Sequence, residues 1–210
     1  LILSCNASNK DISNEELKNP FTIYGEGIEA FQNGDYFFAS KKFSEAELYF
    51  EEFDAAAKSA LMSSYSLYAI NFYEEALENI ERYLKLYKSD KNIIYAHYLK
   101  ALIFYDQIND EKRDIEPTVK AKKQIDFFLN KYPGSDYAID LNFKKELILN
   151  QLAAKEIYVA RFYISTQKWI PAIQRLKIIV TKYEKTIFIE EALHRLVEVY
   201  YHLGMEKEAK

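Results

Sequence analysis

The chain has 210 residues, of which 49% are hydrophobic and 29% are charged, so it has enough apolar residues for the core of a folded protein. Its net charge of -4 at pH 7 argues against a nucleic-acid-binding surface, and its single cysteine excludes an internal disulfide framework. No apolar run in the sequence approaches the ~18 residues that a membrane-spanning helix needs. We therefore expect a folded protein of the soluble class, with no nucleic acid among its partners.

The first five residues, LILSC, form the first informative segment. They resemble a bacterial lipobox, in which a signal peptidase cleaves before a cysteine whose thiol carries lipid. We expect residues 1–4 to be a signal-peptide remnant and Cys5 to be the lipidation site. Residues 5–20 are polar and are predicted to be a flexible tether between the membrane anchor and the folded body. The alternative is that Cys5 is an ordinary buried cysteine without lipid.

Residues 21–210 are predicted to form one helix after another, because no segment shows sustained strand-like alternation. The pattern is that of the tetratricopeptide repeat, a helix pair of about 34 residues, with small residues where the two helices touch. Five copies lie near residues 21–53, 55–89, 92–133, 136–184 and 187–210. Their contact residues are Ala39, Ala76, Ala121, Ala172 and Ala209. Successive alanines are 37, 45, 51 and 37 residues apart, so the repeats are divergent.

This organisation predicts an all-α fold, a right-handed superhelix of about five tetratricopeptide-like helix pairs. Stacked pairs form a concave face that is suited to binding peptides or other proteins. Gly34-Asp35-Tyr36 is predicted to be the turn of the first pair, and an insertion of about eight residues to lengthen the loop of the third pair. The aromatic side chains at helical spacing are predicted to fill the core between repeats.

No chemical site emerges from the sequence. The three histidines are His97, His194 and His202, and the last two are eight residues apart, too far for the i, i+4 metal-binding pair of a helix. There is no glycine-rich phosphate loop and no arguable Ser-His-Asp set. We therefore expect no enzymatic activity, no metal and no cofactor. An enzyme with an unrecognised site is the alternative.

Three stretches of the sequence carry a family resemblance. They are YAHYLKALIFY at residues 95–105, LNQLAAKEIYVARFY at 149–163 and KWIPAIQRL at 168–176. Together with the lipobox and the five repeats, they resemble the BamD family, lipoproteins of the machinery that assembles β-barrel proteins in the bacterial outer membrane. The resemblance covers nearly the whole chain.

The resemblance implies a non-enzymatic scaffold, lipid-anchored at the periplasmic face of the cell outer membrane. Its C-terminal repeats would bind the periplasmic domains of a BamA-like barrel-forming partner, its N-terminal repeats would receive unfolded outer-membrane proteins, and other assembly lipoproteins would bind too. In the family, an arginine six residues after the turn aromatic of the fourth repeat contacts the barrel partner. Here the turn aromatic is Trp169 and the arginine is Arg175. The alternative for Arg175 is a solvated surface residue.

For the N-terminal repeats, we expect Tyr65 and Tyr68 to contact unfolded substrate on the concave face, by stacking or by hydrogen bonding. The alternative is that both tyrosines belong to the core. Two features depart from the family pattern. The inserted loop of the third repeat is shorter than longer loops found elsewhere in the family. Pro171 stands where the family often has valine or alanine, at a helix start where its missing N–H costs little.

Two other functions fit parts of the sequence. A different envelope adaptor with tetratricopeptide repeats, serving cell division or peptidoglycan synthesis, would also be exported but would form no stable complex with a barrel protein. A cytosolic scaffold in which LILSC is accidental would keep an unmodified Cys5.

Overall fold

The computed structural model describes residues 19–108 and 115–209, so Cys5 and the middle of the third-repeat insertion lie outside the described residues. In the described ranges all regular secondary structure is helical, which confirms the all-α prediction. No helix in these ranges has both the length and the apolarity needed to cross a bilayer. The helices are α1 (Pro20–Gln32), α2 (Tyr36–Tyr49), α3 (Phe53–Ala69), α4 (Tyr73–Leu86), α5 (Ile93–Asp106), α6 (Glu116–Lys131), α7 (Tyr137–Ser165), α8 (Trp169–Lys182) and α9 (Ile189–His202).

The chain divides into two compact units, residues 1–90 and 91–210. The first unit contains α1 to α4 and the second contains α5 to α9. Within each unit, the main packing is between helices that are consecutive in the chain. Short connections turn the chain back on itself, so neighbouring helices run antiparallel. The predicted tetratricopeptide-like helix pairs are therefore present.

The first helix begins slightly earlier than the predicted end of the tether. Asn19 caps α1 by accepting a hydrogen bond from the Phe21 N–H at 2.9 Å, and Pro20 is the first helical residue. Proline suits this position because its missing N–H would have no partner in the helix. Residue 20 therefore belongs to the folded body.

Four helices end in the same backbone conformation. The residue after the C-cap has a positive φ in Gly34 (81°), Asn71 (62°), Gln167 (56°) and Gly204 (70°). This left-handed conformation is a common way to end a helix and favours glycine or asparagine. After Gly34, Asp35 accepts a hydrogen bond from the Phe38 N–H at 3.1 Å and so caps α2. The predicted Gly34-Asp35-Tyr36 turn is confirmed.

Small residues lie where the helices touch. Ala39, Ala76, Ala121 and Ala172 have no exposed surface, as the repeat pattern predicted. In α1 the small residue is Gly27, where a Cβ would lie only 2.8 Å from Cε1 of Phe43. Ala209 differs, because it is partly buried in a turn after α9, so the structure does not show it as a helix contact.

The length of α7 explains the widest spacing between the contact alanines. It has 29 residues, whereas the other described helices have 13 to 17. Its first half packs against α6 through Leu141 and Ile148. Its second half packs against α8 through Ile157 and Ala160. One continuous helix therefore packs against two neighbouring helices, and its length places Ala172 far from Ala121 in the sequence.

The aromatic side chains fill the core only in part, which corrects the expectation from the sequence. Phe43, Tyr83 and Phe128 are fully buried. Successive aromatic residues, as in Tyr36–Phe38, point in different directions around a helix, so they cannot all face one core. The exposed aromatic residues are Phe21, Phe37, Phe38, Tyr49, Phe53, Phe72, Phe127, Tyr137, Phe143, Tyr158, Phe162 and Tyr201.

Candidate functional site

Arg175 lies on α8 and forms an ion pair with Glu156 on α7. Its Nη1 is 3.1 Å from Oε2 and 3.5 Å from Oε1 of that carboxylate. Glu156 is shielded, with 15% of its side chain exposed, whereas 41% of the Arg175 side chain is exposed. A guanidinium has five N–H donors. Glu156 therefore fixes the position of Arg175 while other donors of the same group still face solvent.

The charge of the Glu156 carboxylate also affects the pKa of Tyr183, the C-cap residue of α8. Burial raises the pKa of Tyr183, and the negative charge of Glu156 raises it further. Tyr183 packs against the apolar cores on both sides of it, one around Ile148 and the other around Leu176. Arg175 is thus part of an ordered junction between α7 and α8.

Trp169, the first residue of α8, stacks on His202, the last residue of α9. The two ring centroids are 5.2 Å apart and the ring planes differ by 12°. An open groove of about 530 Å³ lies beside this stack. Its lining includes Ile164, Trp169, His194, Val197, Glu198 and Tyr201. The lining therefore combines apolar and aromatic surface with the ionisable side chains of His194 and Glu198. Nδ1 of His194 lies 3.6 Å from Oε1 of Glu198.

Trp169 and Arg175 contact different helices. Trp169 stacks on α9, whereas Arg175 pairs with α7. Six residues along an α-helix correspond to a rotation of about 600°, so the two side chains leave α8 in directions about 120° apart. The structure places both predicted residues on α8 but does not bring them into one cluster.

A three-residue ion network joins α7 to α9 and was not found from the sequence. Arg161 donates two hydrogen bonds to Glu191, one of them from Nε at 2.8 Å. Arg195 donates to the same carboxylate at 2.6 Å. The hydrogen bond from Arg161, with a further one from Arg195, lowers the pKa of Glu191 to about 2. The spacing of Glu191 and Arg195 by four residues was a visible signal, but the partner on α7 was not.

Tyr65 and Tyr68 lie near the end of α3, within a row of aromatic rings. The ring centroids are 5.9 Å apart between Phe31 and Tyr65, 6.1 Å between Tyr65 and Tyr68, and 6.4 Å between Tyr68 and Tyr73. Both tyrosines are half-buried. Each therefore contributes to packing and also presents part of its ring to solvent, so the two alternatives from the sequence each describe part of the structure.

None of the three histidines belongs to a candidate metal-binding cluster in the part of the chain that the structure describes. In residues 19–108 and 115–209, no three His, Cys, Asp or Glu side chains come together in a way that could hold a metal ion. His97 packs against the rings of Phe127 and Tyr132, with centroids 5.3 and 5.5 Å away. Burial and the nearby charges of Lys131 and Lys100 lower the pKa of His97 to about 4. Its imidazole is therefore neutral at pH 7.

Comparison with known proteins gives consistent matches. A family model described as outer membrane lipoprotein, YfiO, matches residues 17–210. Outer membrane protein assembly factor BamD of Rickettsia prowazekii (strain Madrid E) is 34% identical over 210 residues, which is 100% of this chain and 83% of the relative. The protein of the same name from Caulobacter vibrioides is 33% identical over 188 residues, or 90% of this chain and 62% of the relative. That of Neisseria meningitidis serogroup A is 27% identical over 192 residues, or 87% and 72%.

These matches extend over both units. The family model includes every residue that the structure describes, and the Rickettsia relative is similar along the whole chain. The chain therefore belongs to the YfiO, or BamD, family of outer membrane lipoproteins.

Proposed function

We propose that the protein is a non-enzymatic scaffold of the machinery that assembles β-barrel proteins in the outer membrane. The observation that carries this proposal is the similarity along the whole chain to a protein named outer membrane protein assembly factor. The fold supports it, because repeated helix pairs present extended binding surfaces. Function still depends on particular sites rather than on the fold alone.

The proposed location is the periplasmic face of the outer membrane, with Cys5 as the lipidated residue. The family description supports a lipoprotein, and LILSC supplies a cysteine in a suitable context. More than one acyl chain on that cysteine would make the anchor stable, since a single chain binds membranes only marginally.

The second unit is proposed to bind the periplasmic domains of a BamA-like barrel-forming partner. Arg175 is held by Glu156 with donors still exposed, so it is ready to donate to a carboxylate of the partner. Trp169 lies beside the groove next to α9, which has the size and apolar lining to receive an aliphatic or aromatic side chain.

The first unit is proposed to receive unfolded outer-membrane proteins through Tyr65 and Tyr68. A barrel strand has alternating apolar and aromatic side chains, and the row of half-buried rings offers edges and faces for stacking. Other assembly lipoproteins would complete the complex.

The test is co-purification from the native bacterium. The full chain would be tagged, the membranes solubilised gently, and the bound proteins identified by mass spectrometry. We would compare wild type with Arg175→Gln, and with Lys182→Gln as a control that removes an exposed cation from the same helix. A large outer-membrane barrel protein with periplasmic domains should accompany wild type and the control, and its recovery should fall roughly tenfold with Arg175→Gln.

The possible outcomes distinguish the assembly role of the protein from the role of Arg175 in the interface. If no barrel protein accompanies wild type, the assembly role is wrong and another envelope adaptor function takes its place. If the barrel protein is recovered equally with Arg175→Gln, the assembly role stands and Arg175 is outside the interface.

A further inference from the structure

The helix ends of the first unit form two opposite surfaces. α1 and α3 begin at the surface where α2 and α4 end. Two ring contacts show this, Phe21 with Phe50 at 5.0 Å and Phe53 with Tyr87 at 5.4 Å between centroids. We call this surface the Asn19 end, because Asn19 caps α1 there. The opposite surface, which we call the turn end, contains the α1–α2 and α3–α4 turns and the Tyr65–Tyr68 ring contact.

Five large apolar side chains are exposed at the Asn19 end. Leu48 is 80% exposed, Phe21 is 64% exposed and Leu86 is 56% exposed. Tyr49 and Phe53 are each nearly half exposed. Single exposed apolar residues are ordinary on protein surfaces, but a group of them at one end of a four-helix unit marks a contact surface.

Polar contacts hold the Asn19 end in a fixed shape. The Glu47 carboxylate, near the end of α2, has 4% of its side chain exposed. It accepts two hydrogen bonds from Arg82, each at 2.5 Å, and one from the Tyr87 hydroxyl at 2.8 Å. Tyr83 donates to Asp90 at 2.5 Å. The bonds of Glu47 join the ends of α2 and α4, and the Tyr83–Asp90 bond ties α4 to the loop after it, so the apolar exposure belongs to an ordered surface.

The N-terminal chain enters the fold at this same surface. Fourteen residues of chain lead from Cys5 to Asn19, a length that reaches at most about 50 Å when fully extended. The turn end lies about 20 Å farther away, since α1 has 13 residues that each rise about 1.5 Å. A lipid on Cys5 would therefore hold the Asn19 end closer to the bilayer, on average, than the turn end.

We infer that the Asn19 end is a membrane-contact surface, which rests on phospholipid with Phe21, Leu48 and Leu86 entering the headgroup region. Aromatic and leucine side chains are those that bind at this depth of a bilayer. The contact would turn the tyrosines of the turn end away from the lipid, towards the aqueous side from which unfolded substrate arrives. The inference rests on the proposed lipidation of Cys5 for the position of the membrane.

The charges near this surface are nearly balanced. Exposed Glu51, Glu52 and Asp54 carry negative charge, and exposed Lys85 and Lys88 carry positive charge. Attraction to anionic headgroups is therefore weak, and burial of apolar surface provides the binding energy. Binding should change little with anionic lipid or with salt.

The test is vesicle flotation with the full chain carrying Cys5→Ala, so that no acyl chain contributes. Vesicles of phosphatidylcholine alone and with added phosphatidylglycerol would be used. The Cys5→Ala chain should float with both, and the further pair Phe21→Ser and Leu48→Ser should lower the partition coefficient roughly tenfold or more. The pair Phe37→Ser and Phe72→Ser, which removes exposed aromatic rings from the turn end, is the matched control and should keep vesicle binding. Circular dichroism would verify that each variant is folded.

Two results would overturn the inference. One is the absence of vesicle binding by the Cys5→Ala chain, and the other is an equal loss in both pairs of variants. The apolar surface would then belong to a protein interface instead. Failure of the proposed function would appear in a different experiment. A missing lipid or a missing barrel partner would be seen in the native bacterium, and neither would change the flotation of the Cys5→Ala chain.

A second measurement uses the lipidated protein in vesicles. Phe21→Trp and Phe72→Trp each add one tryptophan to the constant background of Trp169. Brominated phosphatidylcholine should quench the added fluorescence of Phe21→Trp and leave that of Phe72→Trp unquenched. Equal quenching of the two would contradict a contact limited to the Asn19 end.

Discussion

The Arg175 guanidinium and the Glu156 carboxylate form an ion pair between α8 and α7, with 3.1 Å between Nη1 and Oε2. A carboxylate of a partner protein would therefore share this guanidinium with Glu156. Any substitution of Arg175 would change the contact between α7 and α8 as well as the proposed contact with a partner, and the two effects have to be measured separately.

Exchanging the two charges separates these effects. Arg175→Glu should lower the stability by roughly 1 kcal/mol or less, because it places two carboxylates side by side at a partly exposed position. Adding Glu156→Arg should restore the melting temperature, because the ion pair is rebuilt in reverse. Binding of the barrel partner should stay weak in the double variant, since the exposed group is then negative. Thermal melts and co-purification of both single variants and the double variant provide the check. Recovery of binding together with stability would mean that Arg175 acts only through the fold.

Two glycines of α1 should respond oppositely to alanine. Gly27→Ala should destabilise the first unit by about 1–3 kcal/mol, because the new Cβ would lie 2.8 Å from the Phe43 ring. Gly25→Ala should stabilise it by about 0.5–1 kcal/mol, because no atom lies within 4 Å of the new methyl and alanine favours a helix. Chemical denaturation of both variants would measure the difference. Equal midpoints would show that α1 does not pack on α2 through Gly27.

Enlarging a contact alanine should unpack the second unit. Ala172 has no exposed surface, so Ala172→Trp should cost roughly 1–3 kcal/mol or more. Ile170, two residues earlier on α8, is well exposed, and Ile170→Trp is the matched control with little expected effect. The free energy of unfolding of each variant tests this. If Ala172→Trp were as stable as wild type, Ala172 would not lie at a close contact between α7 and α8.

The stability of the second unit should fall in acid through Glu191. Its folded-state pKa of about 2 lies below the ordinary value of 4.5, so the carboxylate stabilises the fold above about pH 4.5. That contribution is lost as the pH falls towards 2. Glu191→Gln should therefore flatten the decline of the melting temperature across this range, by a small amount because the ion network is partly exposed to solvent. Glu190→Gln, at an exposed neighbouring position, should keep the wild-type slope.

Replacement of the proposed lipidated cysteine should change the distribution of the protein in cells. Cys5→Ala should lower the share of the chain in the membrane fraction severalfold, because the apolar contact at the Asn19 end binds a bilayer more weakly than an acyl anchor does. Fractionation and mass spectrometry of the N-terminal peptide would show the location and the modification together. An unmodified Cys5 in the wild-type protein would contradict the lipoprotein assignment of this residue.

Local features of the fold were predictable because they depend on residues close in sequence. A glycine or asparagine after a helix, with an aromatic residue two positions later, marks the turns at Gly34 and Asn71. Alanine at a regular place in the repeat marks the helix contacts. The full length of α7 was not predictable, because its two halves pack against different helices.

The arrangement around the candidate site depends on tertiary contacts that the sequence does not contain. Arg175 and Glu156 are 19 residues apart, and Arg161 and Glu191 are 30 apart, so only the packed helices reveal these pairs. The different directions of Trp169 and Arg175, in contrast, followed from their spacing of six residues and could have been recognised in advance.

The dominance of packing between consecutive helices has a consequence for how the protein forms. Contacts between helices that are close in sequence require little loop closure, so we expect each unit to fold fast and without contacts from distant segments. The chain is thus able to acquire its structure progressively from the N-terminal end while the rest is still being delivered. If the protein receives unfolded chains as proposed, this order of folding would limit the time during which its own apolar helix faces are available to the wrong partner.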